Sequence, residues 1–310
     1  MEKKILLIGV GNIGKRHLQS CLQIKNIQID CIEKNKIKIL NLKKIFYKFK
    51  NLNFFYNLNG IEKKYDVIID ARTSKSRFSL LKKILKKTNT KKLLMEKFLF
   101  QNIEDYYKFN NIIFKKKIAA FVNCPMRTYE AFNFLKKKIK KNFFLLNITG
   151  SNWNLCSNSI HYLDLFNYFD QTSAKYNITP CLKNKIRKSK RNSFLEFDGK
   201  IVINSKKNKL ELIHNKKFKY NEKIILTCNN NEKYTIFFKK KNIYIFSKNK
   251  KYIFKLPLQS QETSKFIKKK KVKLLKYSKS SILHILLLNQ FLKHYRKLKK
   301  NKKIKFLPIT

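Results

Sequence analysis

Three of the six glycines in this chain fall within one stretch of six residues, Gly9-Val10-Gly11-Asn12-Ile13-Gly14. The apolar run Ile5-Leu6-Leu7-Ile8 precedes it, and from Lys15 to Lys25 the apolar residues recur at helical spacing. A continuous apolar run is what a strand buried on both faces needs. Strand, G-x-G-x-x-G turn and helix, in that order, make a cradle for a pyrophosphate. Gly9 permits the tight turn, Gly11 lets the main chain approach the phosphates, and Gly14 lets helix and strand pack closely. Asn12 and Ile13 of this turn join the cofactor set, and the N-terminus of the helix that follows supplies N–H groups and a positive dipole to the phosphates.

An acid about 20 residues further on completes such a site by accepting hydrogen bonds from the adenosine ribose. Ile27–Ile32 reads as the second strand, and Glu33 stands at its end. Asp30 is the weaker choice, because the strand runs past it. A carboxylate at Glu33 repels a 2′-phosphate, so NAD is expected ahead of NADP, although Lys34 and Lys36 are close enough to blunt the preference. An ordinary turn and a solvent-facing Glu are the plainer alternatives for each half alone. Strand, helix, acid and clustered glycines together favour a dinucleotide.

The elements that must hold this site follow in alternation. Asp66–Asp70, Leu93–Met95 and Ile118–Val122 read as short apolar strands, with helices over Ser74–Lys87 and from about Ile103 to Lys116. That alternation describes a doubly wound parallel sheet with a first domain over residues 1–123. Residues 124–310 form the second domain. Helices are expected over Thr128–Lys140 and Ser159–Phe169, with a strand over Phe143–Ile148. From Ser193 to Leu256 the pattern becomes two-residue alternation broken by turn residues, an antiparallel meander. A helix over Ser280–Leu298 closes the chain.

Composition narrows the partners. The chain of 310 residues has 73 Lys+Arg against 18 Asp+Glu, a formal net charge of +55, yet only seven of the basic residues are Arg. Lys, Asn, Ile, Phe and Tyr all have A/T-rich codons, while Gly and Pro number only 6 and 4. Drift toward A/T explains this profile. A nucleic-acid surface would cluster its charge and favour the planar fork of Arg, so no specific nucleic-acid partner is expected. No apolar run reaches the roughly 18 residues of a membrane span, and no secretory leader is evident. Six Cys and five His are scattered without metal-ligand spacing, which points to reduced thiols in a cytoplasmic protein and no metal.

The order of features resembles the Gfo/Idh/MocA oxidoreductases across nearly the whole chain. Gly9, Gly11, Gly14 and His17 look like the family's G-x-G-x-x-G-x-x-H opening, with His17 expected to pack behind the phosphate loop. Ala71-Arg72-Thr73-Ser74 lies where the family has an A-T-P-like loop beside the nicotinamide, here without its Pro, and Arg77 stands where a His is common. Glu96-Lys97-Phe98 resembles E-K-P, again without Pro. Ser157-Asn158-Ser159-Ile160-His161-Tyr162-Leu163-Asp164 resembles D-x-G-x-H-x-x-D, with Ser157 in place of the first Asp and Ser159 in place of Gly.

The resemblance implies an N-terminal Rossmann domain and a C-terminal α+β domain with a largely antiparallel sheet, through which family members commonly pair. It implies an NAD(P)-dependent oxidoreductase acting on a sugar, cyclitol or nucleotide-sugar hydroxyl. Lys97 would orient the reacting hydroxyl and His161 would pass its proton. Thr73, Ser74 and Glu96 join the cofactor set. Asn158 and Asp164 are substrate-side candidates that could stand in for the missing acid. Arg127 pairs with a substrate anion or makes a structural salt bridge. The rival reading is a Rossmann-fold protein that keeps the nucleotide and has lost catalysis. The absent Asp and Pro favour it, while Glu96, Lys97 and His161 oppose it.

Overall fold

The apolar segments of the first hundred residues form strands buried on both faces. A computed structural model of the chain describes residues 2–139, 143–170, 175–189, 191, 193–268 and 273–310. In it Ile5, Leu6, Leu7 and Ile8 of β1 (Lys3–Ile8) are fully buried. Beside β1 lie β2 (Ile27–Ile32), β3 (Leu52–Phe55), β4 (Lys64–Asp70), β5 (Asn89–Met95) and β6 (Ala119–Val122). All pair in parallel, in the order β3-β2-β1-β4-β5-β6. The order reverses at β1, and ligands of such sheets lie beyond the carboxyl ends of the strands at that reversal. The crossovers are α1 (Asn12–Cys21), α2 (Lys36–Ile45), α3 (Arg77–Lys87) and α4 (Ile103–Lys115).

The chain divides into two compact units. The first comprises Met1–Phe100, Glu104–Asn123 and, unlike the sequence reading, also Leu258–Ser280. That returning segment carries α7 (Gln259–Lys268), a helix without a clear signal in the sequence pattern. Phe266 and Ile267 of α7 join the core formed by β1, β2 and Leu18 of α1. The same holds for β3 and α2. β3 is an edge strand of four residues with only partial burial, and α2 shows a weak apolar stripe, with Ile39 and Leu42 its buried residues.

The second unit comprises Gln101–Ile103, Cys124–Pro257 and Ser281–Thr310. After a short 3-10 turn at Pro125–Thr128 come α5 (Glu130–Ile139), β7 (Phe144–Gly150) and α6 (Leu155–Phe169). Lys140, the expected helix end, lies outside the described residues. Seven strands follow: β8 (Asn177–Lys188), β9 (Leu195–Asn204), β10 (Lys209–His214), β11 (Lys223–Cys228), β12 (Lys233–Lys239), β13 (Asn242–Ser247) and β14 (Lys250–Lys255). They form one sheet in the order β14-β13-β12-β11-β7-β10-β9-β8. The expected meander is corrected at one point. β7 enters between β10 and β11, and its pairing with β10, Leu146 beside Leu210, is parallel. Every second residue of β7, from Phe144 to Gly150, is buried, so the sheet has one packed and one open face. The last helix is α8 (Tyr277–Leu298).

Candidate functional site

β1 delivers the chain to Gly9, whose φ of +81° is a conformation that side chains rarely adopt. A Cβ at Gly14 would collide with the carbonyl oxygen of Gly9. Gly11 differs. Apart from its own chain neighbours, no heavy atom lies within 4 Å of where its Cβ would be, and it precedes an α1 whose start no side chain caps. The space beside Gly11, at the start of α1 with its oriented dipole, is therefore open, a cradle an anion could occupy. Asn12 is exposed and Ile13 half-buried at this opening.

The Glu33 carboxylate is fixed at the end of β2 by the amide of Val10 at 3.1 Å, the amide of Asn35 at 3.3 Å and Lys38 Nζ at 2.6 Å. Burial alone would raise its pKa, but the Lys38 ammonium and the two amides outweigh that and hold it below the ordinary value. Asp30 sits apart, buried, and accepts from the Tyr65 hydroxyl at 2.7 Å and Asn53 Nδ2 at 2.9 Å.

Two arginines build the loops that end β4 and β5. Arg72 forks onto Asp70, with Nε 2.9 Å and Nη2 2.6 Å from the two carboxylate oxygens. Arg77, fully buried at the start of α3, donates to the carbonyls of Glu96 at 2.6 Å, Phe98 at 2.6 Å and Leu99 at 3.0 Å, and to that of Arg72. Half-buried Thr73 and buried Ser74 lie on the first of these loops. Half-buried Lys97 lies on the second, and the peptide between Lys97 and Phe98 is cis.

Glu96 directly follows β5 and accepts from His17 Nε2 at 2.9 Å and from Asn123 Nδ2. The other ring nitrogen of His17 lies 2.7 Å from Thr263 Oγ1 on α7. Burial works to raise the Glu96 pKa, and the His17 and Asn123 donors together with the Lys97 charge bring it below its ordinary value. Thr263 and Asn123 were not recognised in the sequence. Asn123 directly follows β6, at the carboxyl edge of the parallel sheet, and that position was the available signal.

In the second unit the motif occupies α6. Arg127, buried in the 3-10 turn, donates from Nε to Asp164 Oδ2 at 2.7 Å and from Nη2 to the Asp164 carbonyl at 3.0 Å. This is the structural salt bridge, one of the two readings of Arg127. Full burial raises the Asp164 pKa to about 6 against the pull of Arg127. Asn158 donates to the carbonyl of Trp153. His161 is half-buried on the same helix face as Asn158, three residues further on. Buried Glu196 of β9, also not recognised in the sequence, binds Ser157 through its hydroxyl and amide. Among the described residues no cluster of His, Cys, Asp and Glu could hold a metal ion.

No protein-family model and no curated protein matches the chain. Solved structures do. A Gfo/Idh/MocA family oxidoreductase from Vibrio cholerae superposes with a TM-score of 0.68 at 13% identity, covering 97% of this chain and 100% of the other. The two-domain fold is that of the Gfo/Idh/MocA oxidoreductases. The UDP-N-acetylglucosamine 3-dehydrogenase of Acidithiobacillus ferrooxidans gives 0.67 at 11% identity over 93% of this chain and 96% of that one. The transcriptional regulator Gal80p of Kluyveromyces lactis gives 0.72 at 14% identity over 96% and 93%. The same fold thus serves enzymes and a regulator, so function has to be argued from the site.

Proposed function

We propose that the chain is an NAD(P)-dependent oxidoreductase exchanging a hydride with a hydroxyl or carbonyl of a sugar, cyclitol or nucleotide-activated sugar. The observation that carries this reading is the open cradle over Gly11, an uncapped helix start beside a left-handed glycine, with Glu33 fixed nearby. Its donors suit a dinucleotide: amides for the pyrophosphate and a carboxylate for the adenosine ribose. Glu33 favours NAD, and the Lys38 ammonium beside it moderates the preference. When bound, the nicotinamide carries the hydride to or from the substrate carbon.

The remaining work falls to side chains. The Lys97 ammonium would donate to the substrate oxygen and stabilise negative charge there. His161 would take the hydroxyl proton in oxidation and return it in reduction. Asn158 is a candidate for a substrate hydroxyl. Arg127 and Asp164 hold α6 against the 3-10 turn. Thr73 and Ser74 stand on the loop assigned to the nicotinamide half.

A second copy of the chain is the proposed partner, through the open face of the eight-stranded sheet, where Phe246 and Ile253 are exposed. The cytoplasm is the proposed compartment. None of the six cysteines forms a disulfide, and among the described residues no helix is long and apolar enough to cross a membrane.

The test follows NADH absorbance while the protein is mixed with a panel of sugars, cyclitols and nucleotide-sugars. Once a substrate turns over, Lys97→Ala and His161→Ala should each lower the rate about 10²–10⁴-fold. Full turnover by the double variant would remove both from the mechanism. NADH binding without any turnover would instead favour a nucleotide-binding protein without catalysis, the reading that Ser157 in place of an acid supports.

A further inference from the structure

Although Ser157 replaces the acid that opens the resembled motif, the structure puts a carboxylate at that place. Glu196 is 1% exposed on β9 and turns both oxygens onto the first turn of α6. Oε2 accepts from the amide of Cys156 at 2.7 Å, and Oε1 accepts from the amide of Ser157 at 3.2 Å and from the Ser157 hydroxyl. All three partners donate, so both oxygens act as acceptors and stabilise the carboxylate, against the burial that raises its pKa. The start of a helix is also where the backbone dipole favours an anion. His161 follows Ser157 by four residues, the spacing that places two side chains on one helix face.

We propose that Glu196 is a positioning acid for His161, supplying from β9 and through Ser157 the negative charge that the resembled motif carries on the helix itself. The assignment rests on the oxidoreductase reading, in which His161 moves the substrate proton. Other charges on the elements packed against α6 are engaged elsewhere. Asp164 is paired with Arg127. Asp198 lies 3.1 Å from Arg187 Nε and 2.9 Å from His214 Nδ1. Lys136 of α5 sits over the Tyr168 ring, 3.9 Å from its centroid, and Glu222 accepts from Tyr162. Glu196 alone among these carboxylates meets the turn of α6 that precedes His161.

The arrangement makes the charge transferable between two positions. Ser157→Asp alone would set two carboxylates against one another and destabilise α6. The same substitution combined with Glu196→Gln would return a single carboxylate to the helix. The experiment is histidine-selective NMR of the full-length protein, following the His161 ring across pH. Glu196→Gln should lower its titration midpoint by roughly 0.5 to 1 pH unit, because a nearby anion favours the protonated ring. Adding Ser157→Asp should bring the midpoint back toward wild type. If Glu196→Gln does not fold, Ser157→Asn/Glu196→Gln and Ser157→Asp/Glu196→Gln compare the same two positions without and with charge. An unchanged midpoint in either comparison overturns the proposal. Calorimetry of the wild-type protein with NADH and with NADPH tests the oxidoreductase reading separately. Failure to bind either would overturn that reading whatever His161 does.

Discussion

The two units build their candidate sites in different ways. In the first, the cradle is main chain: three glycines and the start of α1 within six consecutive residues. In the second, the start of α6 is organised by side chains that arrive from far along the sequence, Arg127 from the 3-10 turn and Glu196 from β9. A site made of backbone must keep its local sequence, because only glycine meets the steric demand. A site made of side chains can keep its charge while moving the residue that bears it.

The sharpest way to break this comparison is within the glycine turn. Gly14→Val should cost about 3 kcal/mol or more, since the new side chain meets the Gly9 carbonyl, and chemical denaturation would measure it. Gly11→Val should melt close to wild type, because the space beside it is open, yet lose NADH affinity by at least about 100-fold in calorimetry as it fills the cradle. Equal affinity for both proteins would show that the cradle does not hold the cofactor.

Buried arginines offer the next contrast. Arg77→Met would leave the carbonyls of Glu96, Phe98 and Leu99 without their buried donor, and a loss of about 3 kcal/mol is expected in urea titration. A similar loss is expected for Arg127→Met, which leaves Asp164 buried without its cation. Asp164 adds a pH signature. Its proton affinity is higher folded than unfolded, so its contribution is fully present below about pH 4 and is lost as pH rises through about 6. Relative to Asp164→Asn, the wild type should therefore lose stability between those values, and a flat difference would contradict the burial argument.

The smallest expected effect concerns cofactor choice. Lys38→Ala would leave Glu33 without its ammonium partner and should raise the preference for NADH over NADPH about fivefold, read from competitive binding. An unchanged ratio would remove Lys38 from the specificity argument.

The same contrast governs what the sequence revealed. The parallel sheet was legible because its strands are continuous apolar runs and its helices amphipathic. β3 and α2 were not, being an edge strand and a helix with few buried residues. The glycine turn and Glu33 were legible because their chemistry is local. Glu196 was not. It stands on a strand of the second sheet, and only tertiary contact shows that it serves Ser157. The parallel placement of β7 beside β10 was hidden for a related reason, since two-residue alternation reports which face a residue occupies and not which strand lies beside it. Thr263 shows the same limit over a longer distance. Nothing local in α7 tells that its hydroxyl meets a histidine 246 residues away.

The position of α7 has a consequence for synthesis. Domains generally fold as units while the chain is being made, starting from the amino terminus. Here the glycine turn leaves the ribosome long before Thr263 and Phe266, which pack against the helix that follows it. His17 and Leu18 must wait while more than two hundred further residues, most of the other unit among them, are made before α7 covers them. The nascent first unit therefore waits with an apolar helix face uncovered while most of the other unit is made, and its completion is tied to the emergence of α7.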